Sequence, residues 1–382
     1  MSKKNISVRH ILTTLIIMLL SAGKLYPQVA NVPINYITES NYITKSTAIT
    51  ETTYFDGLGR ELQRTERMPN RKQVVTLTKY DVWGRVMRKY VPYVSSIKMG
   101  FIYDAETEHR NYYQANFNSA YGFSQMNYDK TTKSNLIEQS QPGDSWRIGG
   151  GHTTRQKTSK NVSSDNIKKY SFHTDGIGVL YTRFYNAGEL IKTETIDAQG
   201  DKTYQYYDIQ DNLIAEEIRT DSASLFTYYL YDGLGLLRYV IPPNADAGFK
   251  PNAPRNLRDL QKYCFYTEYD ERHRPYKIYI PGAGYTLNLY DKKDRLVLSQ
   301  NENLRVDGKW VFTKYDYLGR GIITGICTGT EADHKTALEA QTVFGETRNA
   351  SAHGYTDMSY PTGVNANDIL TVTYYDNYDW QG

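Results

Sequence analysis

YDYLGR at residues 315–320, YDVWGR at 80–85 and FDGLGR at 55–60 repeat one pattern: an aromatic residue, Asp, two spacers, Gly and Arg. Asp in the first position and Gly in the fourth is the preference of a type I turn, in which the Asp carboxylate accepts a backbone hydrogen bond two residues on. A type I turn followed by a left-handed glycine is a common three-residue hairpin loop with a bulge. Each copy therefore predicts a β-hairpin.

Weaker copies of the motif test this interpretation. They are YDIQDN at 207–212, YDGLGL at 231–236, YDERHR at 269–274 and YDKKDR at 290–295. Where the Gly is missing, its position holds Asp211, His273 or Asp294, and these residue types tolerate positive φ better than most. The residue in the Gly position is therefore predicted to be selected for its backbone conformation, a positive φ.

An internal repeat predicts an architecture built from one supersecondary unit, here the hairpin. The motif Arg has three open roles: pairing with the turn Asp, stacking on a Tyr ring across the strand, or remaining solvated. The positions expected to shape the turns are Asp56, Gly59, Arg60, Asp81, Gly84, Arg85, Asp232, Gly235, Asp270, His273, Arg274, Asp291, Asp294, Arg295, Asp316, Gly319 and Arg320.

The segments beside the turns alternate in polarity, as in VTLTKY at 75–80 and RLVLS at 295–299, which is typical of half-buried strands. Tyrosine is the dominant aromatic residue, with 36 Tyr against 11 Phe and 4 Trp. A phenol suits a sheet with one packed and one wet face, because the ring is buried while the hydroxyl keeps a partner. We therefore expect an all-β fold of repetitive antiparallel hairpins.

The chain is expected to hold one β domain over residues 51–382, after a lead-in strand or linker at 28–50. An irregular insertion with one or two strands is expected at about 95–170, where the repeat is interrupted. Short helices are expected near 254–263, with Pro254 at the first turn, and at 331–342, where Thr330 to Asp333 resembles a capping box.

Residues 1–27 have the features of a secretory signal peptide: a basic start, the apolar stretch ILTTLIIMLL at 11–20, and small residues at 21–23. The apolar stretch is short for a membrane anchor, and we expect cleavage between Ala22 and Gln28. The mature chain is expected to be exported, secreted or at the cell surface (periplasmic or extracellular), with no membrane span. Because the sequence ends inside a further Tyr-Asp motif, we also expect it to be the front part of a longer protein.

Charge and cysteine content narrow the function classes. The formal charge is +3, but residues 1–27 carry four basic residues and no acid, so without them 41 basic residues face 42 acidic ones. This balance argues against nucleic-acid binding. Cys264 and Cys327 lie in apolar, strand-like contexts, and although export would allow a disulfide, we expect both to be unpaired.

The repeats resemble the YD repeats of RHS (rearrangement-hotspot) proteins. Residues 138–152, FYTEYDER at 265–272 with PGAG at 281–284, YDKKDRLV at 290–297 and residues 310–320 further resemble an uncharacterised domain that precedes RHS repeats in large exported bacterial proteins. The similarity covers roughly residues 50–382. It implies a curved, partly wound sheet, an open segment of the β-shell that encloses a C-terminal toxin or other cargo.

The resemblance implies a non-enzymatic structural role, as the N-terminal region of a surface or toxin-encapsulating shell. Its partners would be the downstream RHS repeats or the C-terminal cargo of a longer protein. The alternative is a carbohydrate-binding surface adhesin, as in other YD-repeat proteins, for which Trp146 and Trp310 are candidate glycan contacts. Both tryptophans could instead pack against the sheet.

Motifs for catalysis or cofactors are absent from the sequence: there is no H-E-x-x-H, G-x-S-x-G, phosphate-loop glycine pattern or C-x-x-C pair. The histidines have no metal-ligand spacing, and one Asp per turn does not supply the converging oxygens that calcium needs. No enzyme activity, cofactor or metal is therefore expected. The enzymatic alternative, a secreted glycan hydrolase, would need two carboxylates facing each other across a cleft.

Overall fold

A computed structural model of the chain describes residues 35–42, 48–68, 72–95, 100–220, 223–351 and 353–375. The expected signal peptide and the expected unfinished motif at the end of the chain lie outside these residues. The described chain forms two compact units. One contains the residues up to 158 together with 194–202, and the other contains residues 159–193 together with those from 203 onward.

The first unit is built from antiparallel strands and one helix. Its elements are β1 (Asn35–Tyr42), β2 (Ala48–Phe55), β3 (Glu61–Met68), β4 (Lys72–Tyr80), β5 (Val86–Tyr90), β6 (Tyr93–Ser95), α1 (Ala105–Phe117), β7 (Phe123–Tyr128), β8 (Leu136–Gln139) and β9, which starts in this unit (Thr154–Lys160). Strands β1 to β4 pair in chain order. The first half of β4 then pairs with β6 and its second half with β5, and β5, β7, β8 and β9 pair in succession.

The second unit is a longer series of strands. The remaining strands are β10 (Lys168–Phe172), β11 (Val179–Phe184), β12, which starts in the second unit and ends in the first (Ile191–Ile196), β13 (Lys202–Tyr207), β14 (Leu213–Arg219), β15 (Ser224–Tyr231), β16 (Leu237–Ile241), β17 (Phe265–Tyr269), β18 (Pro275–Ile280), β19 (Gly284–Tyr290), β20 (Leu296–Gln300), β21 (Lys309–Tyr315), β22 (Gly321–Thr328) and β23 (Ile369–Val372). From β13 to β23 every strand pairs antiparallel with the next one in the chain, and β10 and β11 form a separate hairpin. The expected fold class, all-β with repetitive antiparallel hairpins in an open sheet, is confirmed.

Each Tyr-Asp turn carries a shift in strand register. The shift falls immediately before the aromatic residue of the motif, as at Tyr54/Phe55, Lys79/Tyr80 and Lys314/Tyr315. Such a shift is the bulge expected of a three-residue hairpin loop that ends in a left-handed residue. The hairpin type predicted from Asp and Gly is therefore the one present.

Tyrosines form much of the core of the second unit. Tyr239, Tyr266, Tyr279 and Tyr285 lie side by side on neighbouring strands, with ring centres 4.5–5.5 Å apart. The hydroxyl of the buried Tyr239 donates to the carbonyl of Ile177 at 2.8 Å. Burying the ring while the hydroxyl keeps a partner is the arrangement that the tyrosine-rich composition predicted.

Helices in the described residues number five rather than the expected one or two. They include α2 (Pro243–Asp246), α3 (Leu257–Leu260), α4 (Glu302–Val306) and α5 (Glu331–Ala340). The helices expected near 254–263 and 331–342 are α3 and α5. The backbone N–H of Asp333 donates to the Thr330 side chain at the start of α5, as the capping pattern predicted.

The 13-residue helix α1 is the main element that the sequence interpretation missed, because residues 112–117 were assigned to an insertion with strands only. Two sequence signals mark it: Glu106 and Glu108 in its first turn, and Asn118 just after its end. In the structure Asn118 has the left-handed conformation of a helix cap, with φ of 53°. The helix buries Ala105 and His109, and His109 is hydrogen-bonded to the Val91 carbonyl. The described part of the segment 95–170 thus holds ordered elements, of the first unit up to residue 158 and of the second unit from residue 159.

Cys264 and Cys327 are both unpaired. Burial raises the pKa of the Cys264 thiol to about 12 and that of Cys327 to about 11. Both thiols therefore stay protonated at neutral pH and pack as small apolar groups.

Candidate functional site

The repeated turn is organised by its aspartate, as the copy at Asp316 shows. The backbone N–H groups of Leu318 and Arg320 both donate to Asp316 Oδ1 at 2.9 Å, and Arg320 Nε donates to Oδ2 at 2.6 Å. The Gly319 N–H donates to the Asp316 carbonyl at 3.0 Å, which closes the turn. One carboxylate therefore holds two backbone donors and the motif Arg at once.

The same contacts recur in every copy of the motif that has both Asp and Arg. The Arg Nε to Asp Oδ2 distance is 2.6–2.9 Å in all of them. The pairs are Asp56 with Arg60, Asp81 with Arg85, Asp270 with Arg274, Asp291 with Arg295, and Asp316 with Arg320. The motif Arg is therefore a turn-pairing residue and not a solvated one.

The motif Arg also reaches the tyrosine that begins a later Tyr-Asp motif. The Cζ atom of Arg295 lies 4.5 Å from the ring centre of Tyr315, and the Tyr315 hydroxyl donates back to the carbonyl of Leu296 at 2.7 Å. We call this arrangement of Asp, Arg and the later Tyr the hairpin clasp. It combines a charge-assisted hydrogen bond, a cation–π contact and a tyrosine hydrogen bond, so it joins one hairpin to another.

Four further copies of the hairpin clasp have the same geometry. The Arg–Tyr distances range from 4.3 to 4.7 Å, and the tyrosine hydroxyl donates to the carbonyl after the Arg at 2.9–3.3 Å. The pairs are Arg60 with Tyr80, Arg85 with Tyr128, Arg274 with Tyr290, and Arg320 with Tyr375. Stacking across the strands and pairing within the turn thus occur together.

Copies that lack the Arg keep part of the hairpin clasp. At Asp208, the Asn212 side-chain amide donates to Oδ2 at 3.0 Å. At Asp232, where the Arg position is leucine, Arg238 approaches Oδ2 at 3.5 Å from two residues further along. The carboxylate is thus supplied with a side-chain donor even where the motif is incomplete.

The Gly position has the backbone conformation predicted for it. Its φ is 77–81° in Gly59, Gly84, Gly235 and Gly319. In Asp211, His273 and Asp294, which replace the glycine, φ is 61–63°. Positive φ is strained for most residues, so this position selects residues by backbone conformation.

Replacing Gly319 with valine is expected to destabilise the second unit by about 1–3 kcal/mol, because a β-branched residue is strained at positive φ. The cost comes from the backbone, since no atom lies within 4 Å of the position that a Cβ would take. Urea unfolding followed by circular dichroism measures it. Gly319→Asn is the matched control and should cost much less. Equal midpoints for Gly319→Val and the parent chain would contradict the turn assignment.

One copy of the motif escaped the sequence interpretation, at Tyr128 and Asp129. Its loop is two residues longer, so the backbone N–H of Asn135 takes the place of the Arg N–H and donates to Asp129 Oδ1 at 3.1 Å. The Asn135 side chain donates to Oδ2 at 3.0 Å, and Ser134 takes the positive φ. Tyr-Asp followed by Asn six residues on is the signal that would have found it.

The turn carboxylates make folding sensitive to acid. Burial alone would raise their pKa, but the backbone N–H groups and guanidinium of each turn together hold the pKa below its usual value in Asp56, Asp81, Asp270 and Asp316. Because each pKa is lower in the folded than in the unfolded chain, the stabilisation is complete above the unfolded value of about 3.9. It is lost as the pH falls through the folded values.

We therefore expect the urea midpoint to fall steeply once the pH drops below about 4. Burial lowers the pKa values of His109 and His334. Any loss of stability due to these histidines therefore begins as the pH falls below their unfolded value of about 6.5, well above the range in which the turn carboxylates titrate. Measuring the midpoint from neutral pH to about pH 3 distinguishes the two. Asp316→Asn should flatten the lower part of the curve, and a parent curve that is flat below pH 4 would contradict the expectation.

The two tryptophans named as glycan contacts occupy different environments. Trp310 is 1% exposed, and its Nε1 donates to the Gly329 carbonyl at 3.0 Å. Its assignment as a glycan contact is therefore wrong, since its ring is buried in the core of the second unit. Trp146, in the first unit, is 37% exposed and its ring centre lies 5.2 Å from that of His152.

A cleft of about 540 Å³ opens in the second unit beside the turns at Asp208 and Asp232. Tyr185, Tyr231 and Gln210 are among its lining residues. Tyrosine rings with carboxylate and amide groups around them can stack on and hydrogen-bond a polar ligand. This cleft was not anticipated from the sequence, because its residues come from separate hairpins.

In the described part of the chain, no group of three or more His, Cys, Asp or Glu side chains is placed to hold a metal ion. The same residues contain no helix of the length and apolar character required to cross a membrane.

Comparison with solved structures finds similar folds in a toxin complex. The chain is 18% identical to the crystal structure of TcdB2-TccC3 without its hypervariable C-terminal region, with a TM-score of 0.48 over 80% of this chain and 14% of that chain. The crystal structure of TcdB2-TccC3 is 17% identical, with a TM-score of 0.47 over 78% of this chain and 14% of that chain. The Photorhabdus luminescens Tc holotoxin pore is 18% identical, with a TM-score of 0.46 over 78% of this chain and 14% of that chain. The chain thus spans about 14% of the length of these solved chains.

Comparison of the sequence with protein families gives a match to the first part of the chain. The resemblance expected from the motifs extended over roughly residues 50–382, whereas this match starts at residue 28 and ends at the last residue of β9. No curated protein matches the chain. Residues 28–160 match the family DUF6443, which is described as a domain of unknown function.

Proposed function

We propose that the chain is a structural, non-enzymatic segment of an exported RHS-type protein. Its hairpins would extend the sheet of a larger shell that continues into downstream repeats or encloses a C-terminal cargo. The observation that carries the proposal is the hairpin clasp, in which each motif Arg bonds its own turn and the tyrosine of a later motif. A unit whose main polar contacts join it to another copy of itself is suited to building an extended wall.

The clasp also argues against an enzymatic use of the motif residues. The carboxylate of Asp316 already accepts three hydrogen bonds within its turn, and the guanidinium of Arg320 lies over the Tyr375 ring. Groups held in this way stabilise the fold through contacts that the repeat itself supplies. Their repetition in both units supports a structural role.

The first test is the genomic sequence downstream of the codon for Gly382, together with the location of the product. The proposal expects further Tyr-Asp repeats and a C-terminal domain encoded there, and a processed product in the periplasm or the medium. Protease treatment of the full-length product should then leave the C-terminal domain intact. A stop codon followed by unrelated sequence, or an unprocessed product inside the cell, would overturn it.

A second candidate function, binding of a surface carbohydrate, is favoured by the tyrosine-lined cleft in the second unit. Sugars bind where aromatic faces lie beside carboxylate and amide groups, and this cleft combines Tyr185 and Tyr231 with Asp208 and Gln210. Glycan-array screening followed by calorimetry tests it. Binding should be weakened at least tenfold by Gln210→Ala and retained by Trp146→Ala. The reverse result would assign binding to Trp146, and no binding would exclude this function.

A further inference from the structure

Lys314 is the most deeply buried lysine of the described chain. It lies on β21 with its side chain 1% exposed, and its Nζ contacts the carboxylate of Asp357. The fully buried carboxylate of Glu346 also lies beside Lys314, with Oε1 3.4 Å from Nζ. Lys314 and Glu346 therefore bear the cost of burying an ammonium and a carboxylate, whereas the side chain of Asp357 is 31% exposed.

The carboxylate of Asp357 is oriented by the backbone that follows it. Its Oδ2 accepts hydrogen bonds from the N–H groups of Gly363 at 2.7 Å and Val364 at 3.1 Å, whereas Oδ1 faces Lys314 Nζ. Two backbone donors aimed at one carboxylate oxygen polarise its carbonyl carbon and would stabilise negative charge that develops on that oxygen. The other oxygen is left on the side of the amine.

Glu346 is held in place by its own hydrogen bonds. It accepts hydrogen bonds from the N–H groups of Met358 and Ser359 at 2.9 and 2.7 Å and from the Thr356 hydroxyl at 2.6 Å. Burial alone would raise its pKa, but these donors together hold the pKa below its usual value. Glu346 is therefore an ionised carboxylate 3.4 Å from Nζ, and its low basicity suits a group that passes a proton on and does not keep it.

We infer that Lys314 and Asp357 are joined by an intramolecular amide bond, formed by the folded chain itself with Glu346 as the proton carrier. Glu346 takes a proton from Nζ and passes it to Oδ1 of Asp357, and the freed electron pair of Nζ then attacks Cγ of the resulting carboxylic acid. The negative charge of the resulting tetrahedral carbon falls on Oδ2, between the Gly363 and Val364 N–H groups. The Cγ–Oδ1 bond then breaks, and Oδ1 leaves as water with two protons that Glu346 has carried from Nζ.

The step is balanced and needs no co-reactant. An ammonium and a carboxylate become an amide and one water molecule, no atom is oxidised or reduced, and Glu346 ends as it began. Fixing the amine against the carboxylate replaces a bimolecular encounter, and this proximity is a large part of the rate gain in reactions within one molecule. The amide also removes the buried ammonium charge of Lys314, and the 31% exposure of the Asp357 side chain lets the water molecule leave.

The bond would fasten the segment that follows α5 to the sheet of the second unit. That segment already lies against β21 through the Lys314 contact with the Ser359 carbonyl at 2.9 Å. A covalent link between Lys314 and Asp357 would make this attachment permanent and would restrict the unfolded chain. The inference stands whether the chain builds a shell or binds a carbohydrate.

Peptide mapping by mass spectrometry of the purified, denatured chain tests the bond. Trypsin cannot cleave after an acylated lysine, so the inference expects a branched peptide that joins residues 310–320 to the peptide beginning at Asn349. Its mass should be that of the two peptides less one water molecule. Recovery of residues 310–314 as an ordinary free peptide, from parent protein shown by circular dichroism to be folded, would overturn the inference without any variant.

Variants then assign the roles. Lys314→Arg and Asp357→Ala should abolish the branched peptide, Glu346→Gln should reduce its yield at least tenfold, and Asp357→Asn should lose ammonia in place of water. Lys192 with Asp165 and Lys168 with Asp246 are internal controls, because their side chains lie 2.6 and 2.9 Å apart without Glu346 and the two backbone donors. Both controls should yield only unlinked peptides. A full yield in folded Glu346→Gln would exclude Glu346 as the proton carrier.

Discussion

Replacing Asp291 with alanine is expected to lower the free energy of unfolding by about 3–5 kcal/mol, the largest loss for any single turn of the repeat. Its side chain is fully buried and holds four donors: the backbone N–H groups of Lys293 and Arg295, and two nitrogens of the Arg295 guanidinium. Removing it leaves a guanidinium that is 16% exposed without its counter-charge. Urea unfolding of the parent and variant measures the loss.

Asp270→Ala is the matched control in the same unit. Asp270 makes the same contacts with Arg274, but its side chain is 23% exposed, so water can replace part of what is lost. Its loss should therefore be clearly smaller than that of Asp291→Ala. Asp291→Asn keeps an acceptor for the two N–H groups, so its loss of stability should lie between those of Asp291→Ala and Asp270→Ala. Equal losses at Asp291 and Asp270 would show that burial of the turn carboxylate does not set its contribution.

The parts of the fold that follow from local chemistry were predictable from the sequence. Asp316 and Gly319 specify the turn because the carboxylate reaches its own backbone and because only certain residues accept positive φ. The same reasoning identified His273 and Asp294 as replacements for glycine. Neither conclusion needs knowledge of which strands lie side by side.

The hairpin clasp was only half predictable, because its second half depends on pairing between hairpins. Arg295 bonds Asp291 four residues away, which the motif shows, but it also lies over Tyr315, twenty residues away. That contact exists because β20 and β21 are adjacent in the sheet. Sequence spacing left pairing, stacking and solvation of the Arg as alternatives, whereas the strand register makes the first two simultaneous.

Contacts between distant segments could not be predicted at all. Lys314 meets Glu346 and Asp357 across 32 and 43 residues, and none of these residues belongs to a recognisable motif. Helix α1 was missed for another reason, since its paired tyrosines resemble the strands around it and only its acidic first turn and Asn118 mark it as helical. The Lys314 cluster and helix α1 both involve segments outside the repeat, where the local sequence pattern does not predict the secondary structure or the contacts.

Trp310→Ala is expected to destabilise the second unit by about 3–5 kcal/mol, as is usual when a large buried aromatic side chain is truncated. The ring packs edge-on against His334 at 5.0 Å, and its indole N–H donates to the Gly329 carbonyl just before α5 begins. The variant would therefore open a cavity between β21 and α5 and leave a buried carbonyl without its donor. Thermal and urea unfolding measure the loss.

Trp310→Phe keeps most of the apolar volume and loses the N–H, so the difference between the two variants separates packing from hydrogen bonding. Trp146→Ala, at a site 37% exposed, should cost less than about 1 kcal/mol. A small loss at Trp310 would contradict its burial and restore it as a ligand contact. A ring that supports the core cannot also stack on a sugar. If Trp310→Ala lowers the stability strongly and Trp146→Ala lowers it little, Trp146 is therefore the one of these two tryptophans that is exposed enough to contact a ligand.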